Sequence, residues 1–197
     1  MRLLIQRVLN AKVEANSKVL GAIERGLCVF VAVEANDTFD VFQKMARRLC
    51  AFRIFEDAQK KMNLSVQDVQ GAILLVPQFT LLADCHTGNR PSFLKAGKSA
   101  EMASLFLQFV ECVKEVDGKV ETGEFQADMQ VSLVNDGPAT FIMESHTEKQ
   151  KSKLDLLTKM VSENRTDLVG KQKKKFIDEA YSLRANLELR AQQKKGN

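Results

Sequence analysis

Gln78-Phe79-Thr80 and Asn135-Asp136-Gly137-Pro138 are the two stretches whose residue types could do chemistry. Thr80 carries a hydroxyl, and a threonine becomes a nucleophile only with a base within hydrogen-bond reach. His86 lies six residues further on, past the end of a strand, and the only other histidine is His146. Cys85 beside His86 suggests a thiol or a metal ligand. Two adjacent residues do not make a zinc site, which needs three or four convergent ligands. No metal is expected. The second stretch has two readings. Asn-Asp-Gly is good turn chemistry, with Pro138 opening the next strand where no N–H is needed. Alternatively the Gly137–Pro138 bond is cis, as roughly 5–6% of X–Pro bonds in folded proteins are, and aims two consecutive carbonyls at one point. Such a pair would accept an ammonium group.

The elements that must position these residues are legible as periodicities. Residues 2–8 alternate as a strand, and 13–23 carries weaker strand signals around an Asn16-Ser17 turn. The run 26–34, GLCVFVAVE, is apolar enough for a central strand. Asn36-Asp37 offers a helix cap, followed by Val41, Phe42, Met45 and Leu49 at helical spacing to about Cys50. Residues 51–56 read as a strand, and 71–85 as a second strongly apolar strand interrupted by Pro77. Ser99 can cap a helix with Met102, Leu105, Phe106, Phe109 and Val113 on one face. The last strands, Val131 to Ser145, are broken by Gly137-Pro138. The fold class expected is α/β: a mixed, largely antiparallel sheet framework, barrel- or sandwich-like, with two main packed helices.

The chain has 197 residues and divides in character near residue 147. Residues 1–147 form the expected domain, and 148–197 a basic extension, helical or partly disordered, with a stripe at Phe176, Ala180, Leu183 and Leu187. From Glu148 to Asn197 there are 13 Lys+Arg against 7 Asp+Glu, a net charge of +6, which leaves −2 on the body. A basic tail favours polyanions such as RNA, or forms the solvated face of a helix. Cys28, Cys50 and Cys112 sit in apolar contexts and read as buried, inert thiols of a reducing compartment. No apolar run approaches the roughly 20 residues of a membrane span. The N-terminus, with Arg2, Gln6 and Arg7 interrupting its apolar residues, lacks a signal-peptide core. A cytoplasmic protein without membrane partners is expected.

Taken together and in order, LIQRV, RIFED, KMNLSVQ, PQFTLLAD, RPSF and TGEFQADMQVSLVNDGPATF resemble the D-aminoacyl-tRNA deacylase (D-tyrosyl-tRNA deacylase) family over about residues 1–145. The resemblance implies hydrolysis of the ester joining a D-amino acid, or glycine, to tRNA, by a homodimer with its active site at the subunit interface. It implies that Gln78, Phe79 and Thr80 form the catalytic segment of one subunit, while Asn135, Gly137, Pro138 and Ala139 project into the partner's site to bind substrate. The Gly137–Pro138 bond is then cis, its carbonyls hold the α-amino group, and an L-side chain is driven into the backbone. Arg7 holds that loop. Backbone groups near Phe79 and Thr80 position the ester, the terminal 2′-hydroxyl of the tRNA assists water, and no cofactor is called for.

Two residues depart from the family pattern. Pro77 stands where the family has serine, which removes a hydroxyl and a backbone N–H, and Ala139 stands where it has valine. A related animal subgroup carries Pro-Gln-Ala-Thr in the first motif, but Phe79, Arg7 and Asn135 to Pro138 follow the main branch. Two other readings remain: an enzyme that chiefly edits glycine mischarged onto tRNA, and a non-catalytic tRNA-binding protein that uses the basic tail.

Overall fold

The computed structural model describes residues 1–86, 88–93 and 99–145. In chain order they form β1 (Arg2–Ala15), β2 (Lys18–Ile23), β3 (Gly26–Ala32), α1 (Phe39–Cys50), β4 (Phe55–Glu56), β5 (Met62–Leu64), β6 (Ala72–Pro77), α2 (Ser99–Val116), β7 (Val120–Thr122) and β8 (Met129–Glu144). The chain divides into Met1–Ser145 and His146–Asn197. The stripe expected in the C-terminal extension lies outside the described residues.

β1 organises the sheet. Its first half pairs antiparallel with β3, from Arg2↔Ala32 to Val8↔Gly26, and its second half with β2, from Ala11↔Ile23 to Ala15↔Lys18. β8 pairs along nearly all of β1 and so occupies its other edge. β3, β6 and β7 continue the sheet in parallel, giving the order β2-β1-β3-β6-β7. Parallel neighbours need a crossover, and α1 and α2 supply the two required here. β2 then curls back toward β6 and β7: a Cβ on Gly21 would lie 3.0 Å from the Thr122 carbonyl oxygen and 3.1 Å from Leu74 Cδ1. Glycine permits this close approach, which nearly closes the sheet into a barrel.

The pleat explains the apolar runs. Leu3 and Ile5 of β1, Leu27, Val29 and Val31 of β3, and Ile73 and Leu75 of β6 face the helices. There they meet Phe42, Met45 and Leu49 of α1 and Phe106, Phe109 and Val113 of α2, and the Phe42 and Phe109 rings lie 6.1 Å apart. Val8, Ala11, Val13, Cys28, Leu74 and Val76 fill the barrel interior. β3 and β6 are therefore buried on both faces, as their near-continuous hydrophobicity requires.

Several boundaries differ from expectation for local reasons. α1 is capped by Thr38, whose Oγ1 accepts from Val41 N at 3.4 Å. Asp37 is drawn away to accept from the Met1 ammonium at 2.7 Å and from Glu34 N at 2.7 Å. Ser99 is the first helical residue of α2 rather than a cap before it. The strand expected at 51–56 shrinks to Phe55–Glu56, because turn bonds from Phe52 N to the Leu49 carbonyl and from Ile54 N to the Phe52 carbonyl hold the preceding residues. The strand expected at 71–85 stops at Pro77, and a 3-10 turn, Phe79–Leu82, follows. Among the described residues no helix is long and apolar enough to cross a membrane.

Candidate active site

β6 ends where proline removes the next donor. Pro77 is still paired with Val31, and Gln78 N donates to the Val31 carbonyl at 2.8 Å. The chain then tightens into the 3-10 turn, with Leu81 N bonded to the Gln78 carbonyl at 3.2 Å and Ala83 N to the Thr80 carbonyl at 3.0 Å. Arg2 pins the turn by donating to the Leu81 carbonyl. Phe79, which on pattern alone could be plain core, is 51% exposed and stacks at a tilt on Phe93, with ring centroids 5.3 Å apart. Thr80 is exposed beside it. Its Oγ1 accepts from Gln78 Nε2 at 2.5 Å. A carboxamide cannot take a proton from that hydroxyl. His86 is held through its own backbone N–H by Asp84 Oδ1 at 3.1 Å.

The Asn135–Thr140 segment does not join two strands. It is a bulge inside one sixteen-residue strand, β8. Val8 is in register with Asn135 and Gln6 with Thr140, so the four residues 136–139 stand opposite Arg7 alone. Arg7 is 4% exposed and fills the bulge. Its Nε donates to the Asp136 carbonyl at 3.1 Å and lies 3.2 Å from Asp136 Oδ2, while Nη1 donates to the Ile54 carbonyl at 2.6 Å. Asn135 Oδ1 accepts from Ala139 N at 2.7 Å, and Asn135 Nδ2 donates to Thr140 Oγ1 at 3.0 Å. Ala139 is buried, whereas Gly137 and Pro138 are exposed at the tip.

The peptide geometry corrects one expectation. No peptide bond among the described residues is cis, so Gly137–Pro138 is trans. Trans is favoured by about 0.5–1 kcal/mol at X–Pro bonds. Here the chain is turned by the four-residue bulge and by Gly137 at φ 121°.

Within one chain the two motifs stay apart. Arg7 pairs with Leu27, and Leu27 with Ile73. Gln78 lies five residues beyond Ile73 on β6, and the bulge on β8 is three strands away from β6. At ~3.3 Å per residue and ~4.8 Å between strands, the path along the sheet is about 20 Å. Gln78, Phe79 and Thr80 are brought together, and so are Arg7, Asn135, Gly137, Pro138 and Ala139, but the structure does not join the two groups.

Sequence reasoning passed over Gln6, whose Nε2 donates to Thr140 Oγ1 at 3.2 Å, and the Phe93 ring under Phe79. It also passed over an apolar row on the sheet face away from the helices. Ile142, Leu4 and Phe30 are in register across β8, β1 and β3, and Ile142 is 66% exposed. Alternation in β1 put Leu4 and Gln6 on one face, but which strands flank them is not written in local sequence.

The thiols offer no nucleophile in the core. Burial pushes Cys28 up to about 12, and burial together with the Asp117 carboxylate pushes Cys50 up to about 12. Cys112 is raised by burial and by Glu115 and Glu111. Among the described residues no three of His, Cys, Asp and Glu gather as a metal centre would require.

The model of the family described as D-Tyr-tRNA(Tyr) deacylase matches residues 4–144. A D-aminoacyl-tRNA deacylase of Thermotoga petrophila is 49% identical over 145 residues, covering 74% of this chain and 97% of its own. One from Pseudomonas fluorescens is 49% identical over 145 residues, covering 74% of this chain and all of its own. Among solved structures, the c-Myc DNA Unwinding Element Binding Protein is 35% identical with a TM-score of 0.70, over 75% of this chain and 100% of that one. A probable eukaryotic D-amino acid tRNA deacylase shares the fold at 18% identity, with a TM-score of 0.64 over 72% of this chain and 97% of that one. With a matching family model over most of its body and relatives near half identical across almost their full length, this chain belongs to the D-aminoacyl-tRNA deacylases, a family of ester hydrolases.

Proposed function

We propose that this chain hydrolyses the ester bond between a D-amino acid and tRNA, releasing free tRNA, and that the Gly137–Pro138 tip rejects L-aminoacyl-tRNA. The observation that carries this reading is the Arg7-filled bulge. Arg7 takes the Asp136 carbonyl, while the carbonyls of Gly137 and Pro138 lie at an exposed tip outside the ladder register. Either carbonyl oxygen there can accept from a substrate ammonium whatever the side chain, without the parallel pair that a cis bond would give. With that group held, the two hydrogen-sized and side-chain-sized positions on Cα are no longer equivalent, and an L-side chain meets backbone. Selectivity built from a clash leaves many D-residues acceptable, and glycine as well.

The chemistry falls to the Gln78–Thr80 segment. The N–H groups of Phe79 and Thr80 precede the first internal bond of the 3-10 turn, Leu81 N to the Gln78 carbonyl. They are available to position the ester and to stabilise the oxyanion that develops as water attacks. The 2′-hydroxyl of the terminal ribose assists that water, so Thr80 need not be the nucleophile. Because about 20 Å of sheet lies between the two motifs within a chain, the working unit we assign is a homodimer in which each tip enters the partner's site. The Ile142–Leu4–Phe30 row is the surface we assign to the second copy. Acting on charged tRNA, the protein is one we assign to the cytoplasm.

The test is hydrolysis of D-Tyr-tRNA, Gly-tRNA and L-Tyr-tRNA by the purified protein. Cleavage of the D- and glycyl esters with the L-ester spared is expected. Equal cleavage of D- and L-esters removes the gate. A strong preference for the glycyl ester would make glycine editing the main task. tRNA binding without turnover would leave a binding protein.

A further inference from the structure

We infer that Asn135 is a positioning residue that fixes the stereochemical gate through a two-point amide clamp, and that it does not itself contact the substrate. The inference rests on the gate proposed above and assigns the part that sets its shape.

The need for a clamp follows from the register. Asn135 and Thr140 are the last ladder residues on either side of the bulge, paired with Val8 and Gln6. Between them the backbone groups of 136–139 have no ladder partners. Pro138 has no N–H to satisfy. Ala139 does, and it is buried, so its donor needs an acceptor from elsewhere. Asn135 Oδ1 supplies it at 2.7 Å. The other end of the same carboxamide donates to Thr140 Oγ1 at 3.0 Å, and that hydroxyl also accepts from Gln6 Nε2 at 3.2 Å. One side chain thus ties the two feet of the bulge together and anchors them to β1. Both of its polar ends are engaged inside the protein.

Arg7 and Asn135 act on different parts of the loop. Arg7 holds the Asp136 side by its carbonyl and carboxylate. Asn135 holds the Ala139 side. Between these two fixed points stand Gly137 and Pro138, whose direction is therefore set from both flanks. A backbone tip that must separate mirror images at one carbon tolerates little rotation, since catalytic geometry is sensitive to displacements on the order of 1 Å.

The experiment compares kcat/KM for D-Tyr-tRNA and L-Tyr-tRNA in the full-length wild type and in Asn135→Ala, Thr140→Val and Asn135→Asp. It also follows amide hydrogen exchange at Ala139 in each. Asn135→Ala should lower the D/L ratio about tenfold, as expected for losing two ordinary hydrogen bonds, and should speed Ala139 exchange by a similar factor. Thr140→Val, nearly isosteric, should move the ratio the same way by less. Asn135→Asp should stay close to wild type, because its oxygen still accepts from Ala139 and the Thr140 hydroxyl can turn to donate. If Asn135→Ala raises KM for both esters equally and leaves the ratio and the Ala139 exchange unchanged, Asn135 is a substrate contact and the clamp is wrong. If Asn135→Ala does not fold, an unchanged ratio in Thr140→Val overturns the clamp, and a lowered one supports it. Should the wild type cleave neither ester, the proposed function fails, and the exchange measurement still decides whether the clamp exists.

Discussion

Arg7 and Gly137 compete for the same space: a Cβ placed on Gly137 would lie 2.6 Å from Arg7 Nη2. The guanidinium can fill the bulge only because residue 137 has no side chain, and φ at that residue is 121°, a backbone conformation L-residues rarely adopt. Gly137→Ala therefore meets two penalties, displacement of Arg7 and about 1–3 kcal/mol of backbone strain. We expect a lower melting temperature together with loss of D/L selectivity in the hydrolysis assay. A variant that keeps both at wild-type values would show that the bulge can be rebuilt without either constraint.

Replacing Arg7 separates charge from shape. Its fork reaches the Ile54 carbonyl on one side and Asp136 on the other. A lysine keeps the charge but has a single nitrogen, so it cannot span both. Arg7→Lys should cost about 1–2 kcal/mol, one or two net hydrogen bonds. Arg7→Met should cost about 3 kcal/mol, because it leaves the buried Ile54 carbonyl and the Asp136 carbonyl without a donor, while the Asp136 carboxylate, a third exposed, is partly rehydrated. Urea denaturation of the three proteins measures the order. Equal stability of the lysine and methionine variants would mean that the charge adds nothing beyond the fork.

Much of the fold was legible because burial writes itself into pattern. The two-sided burial of β3 and β6 makes GLCVFVA and AILLV apolar throughout, and the helix faces at Phe42–Leu49 and Met102–Val113 repeat at helical spacing. What was not legible depends on partners distant in the chain. Asn-Asp-Gly-Pro has the local chemistry of a turn, and only pairing of both flanks with β1 turns it into a bulge. Asp37 resembles a helix cap until the Met1 ammonium claims it. Gln78, Phe79 and Thr80 stand out only through motif resemblance, whereas the Gln6–Thr140–Asn135 chain of hydrogen bonds needed the register to be seen.

The cysteines should report the fold directly. Cys28, Cys50 and Cys112 are buried and Cys85 is exposed. With Cys28 and Cys50 pushed up to about 12, neither core thiol ionises at pH 8. Iodoacetamide at that pH should label the native protein once, at Cys85, and the urea-denatured protein four times, as counted by mass spectrometry. Native labelling at Cys28 or Cys50 would contradict the packing of the barrel and helix layers.

Thr80 should prove dispensable as a nucleophile. Its hydroxyl is paired with the Gln78 carboxamide, which has no proton affinity to offer. A triad serine or its histidine loses on the order of 10⁶-fold in kcat when removed. Thr80→Ala should instead lose about tenfold or less in D-Tyr-tRNA hydrolysis, from a loosened turn. A loss of 10⁴-fold or more in a still-folded protein would restore Thr80 to the nucleophilic role.

Electrostatic attraction to tRNA should come from the C-terminal extension. Residues 148–197 carry a net charge of +6, against −2 for the remainder. The body, Met1–Ser145, contains both apolar cores and the two candidate motifs. A protein ending at Ser145 should therefore retain ester hydrolysis at saturating substrate while binding tRNA more weakly at low salt. Each lysine or arginine that neutralises a phosphate contributes about −0.7 to −0.9 to the slope of log K against log salt. If several residues of the extension do so, the truncated protein will show a slope shallower by several such increments, and its affinity will converge with that of the full chain as salt rises. Binding isotherms at four or five salt concentrations give both slopes. Parallel lines would show that the extension neutralises no phosphate, and the tRNA contacts would then have to be sought among basic residues of the body, such as Arg47, Arg48 and Arg90, all of which are exposed.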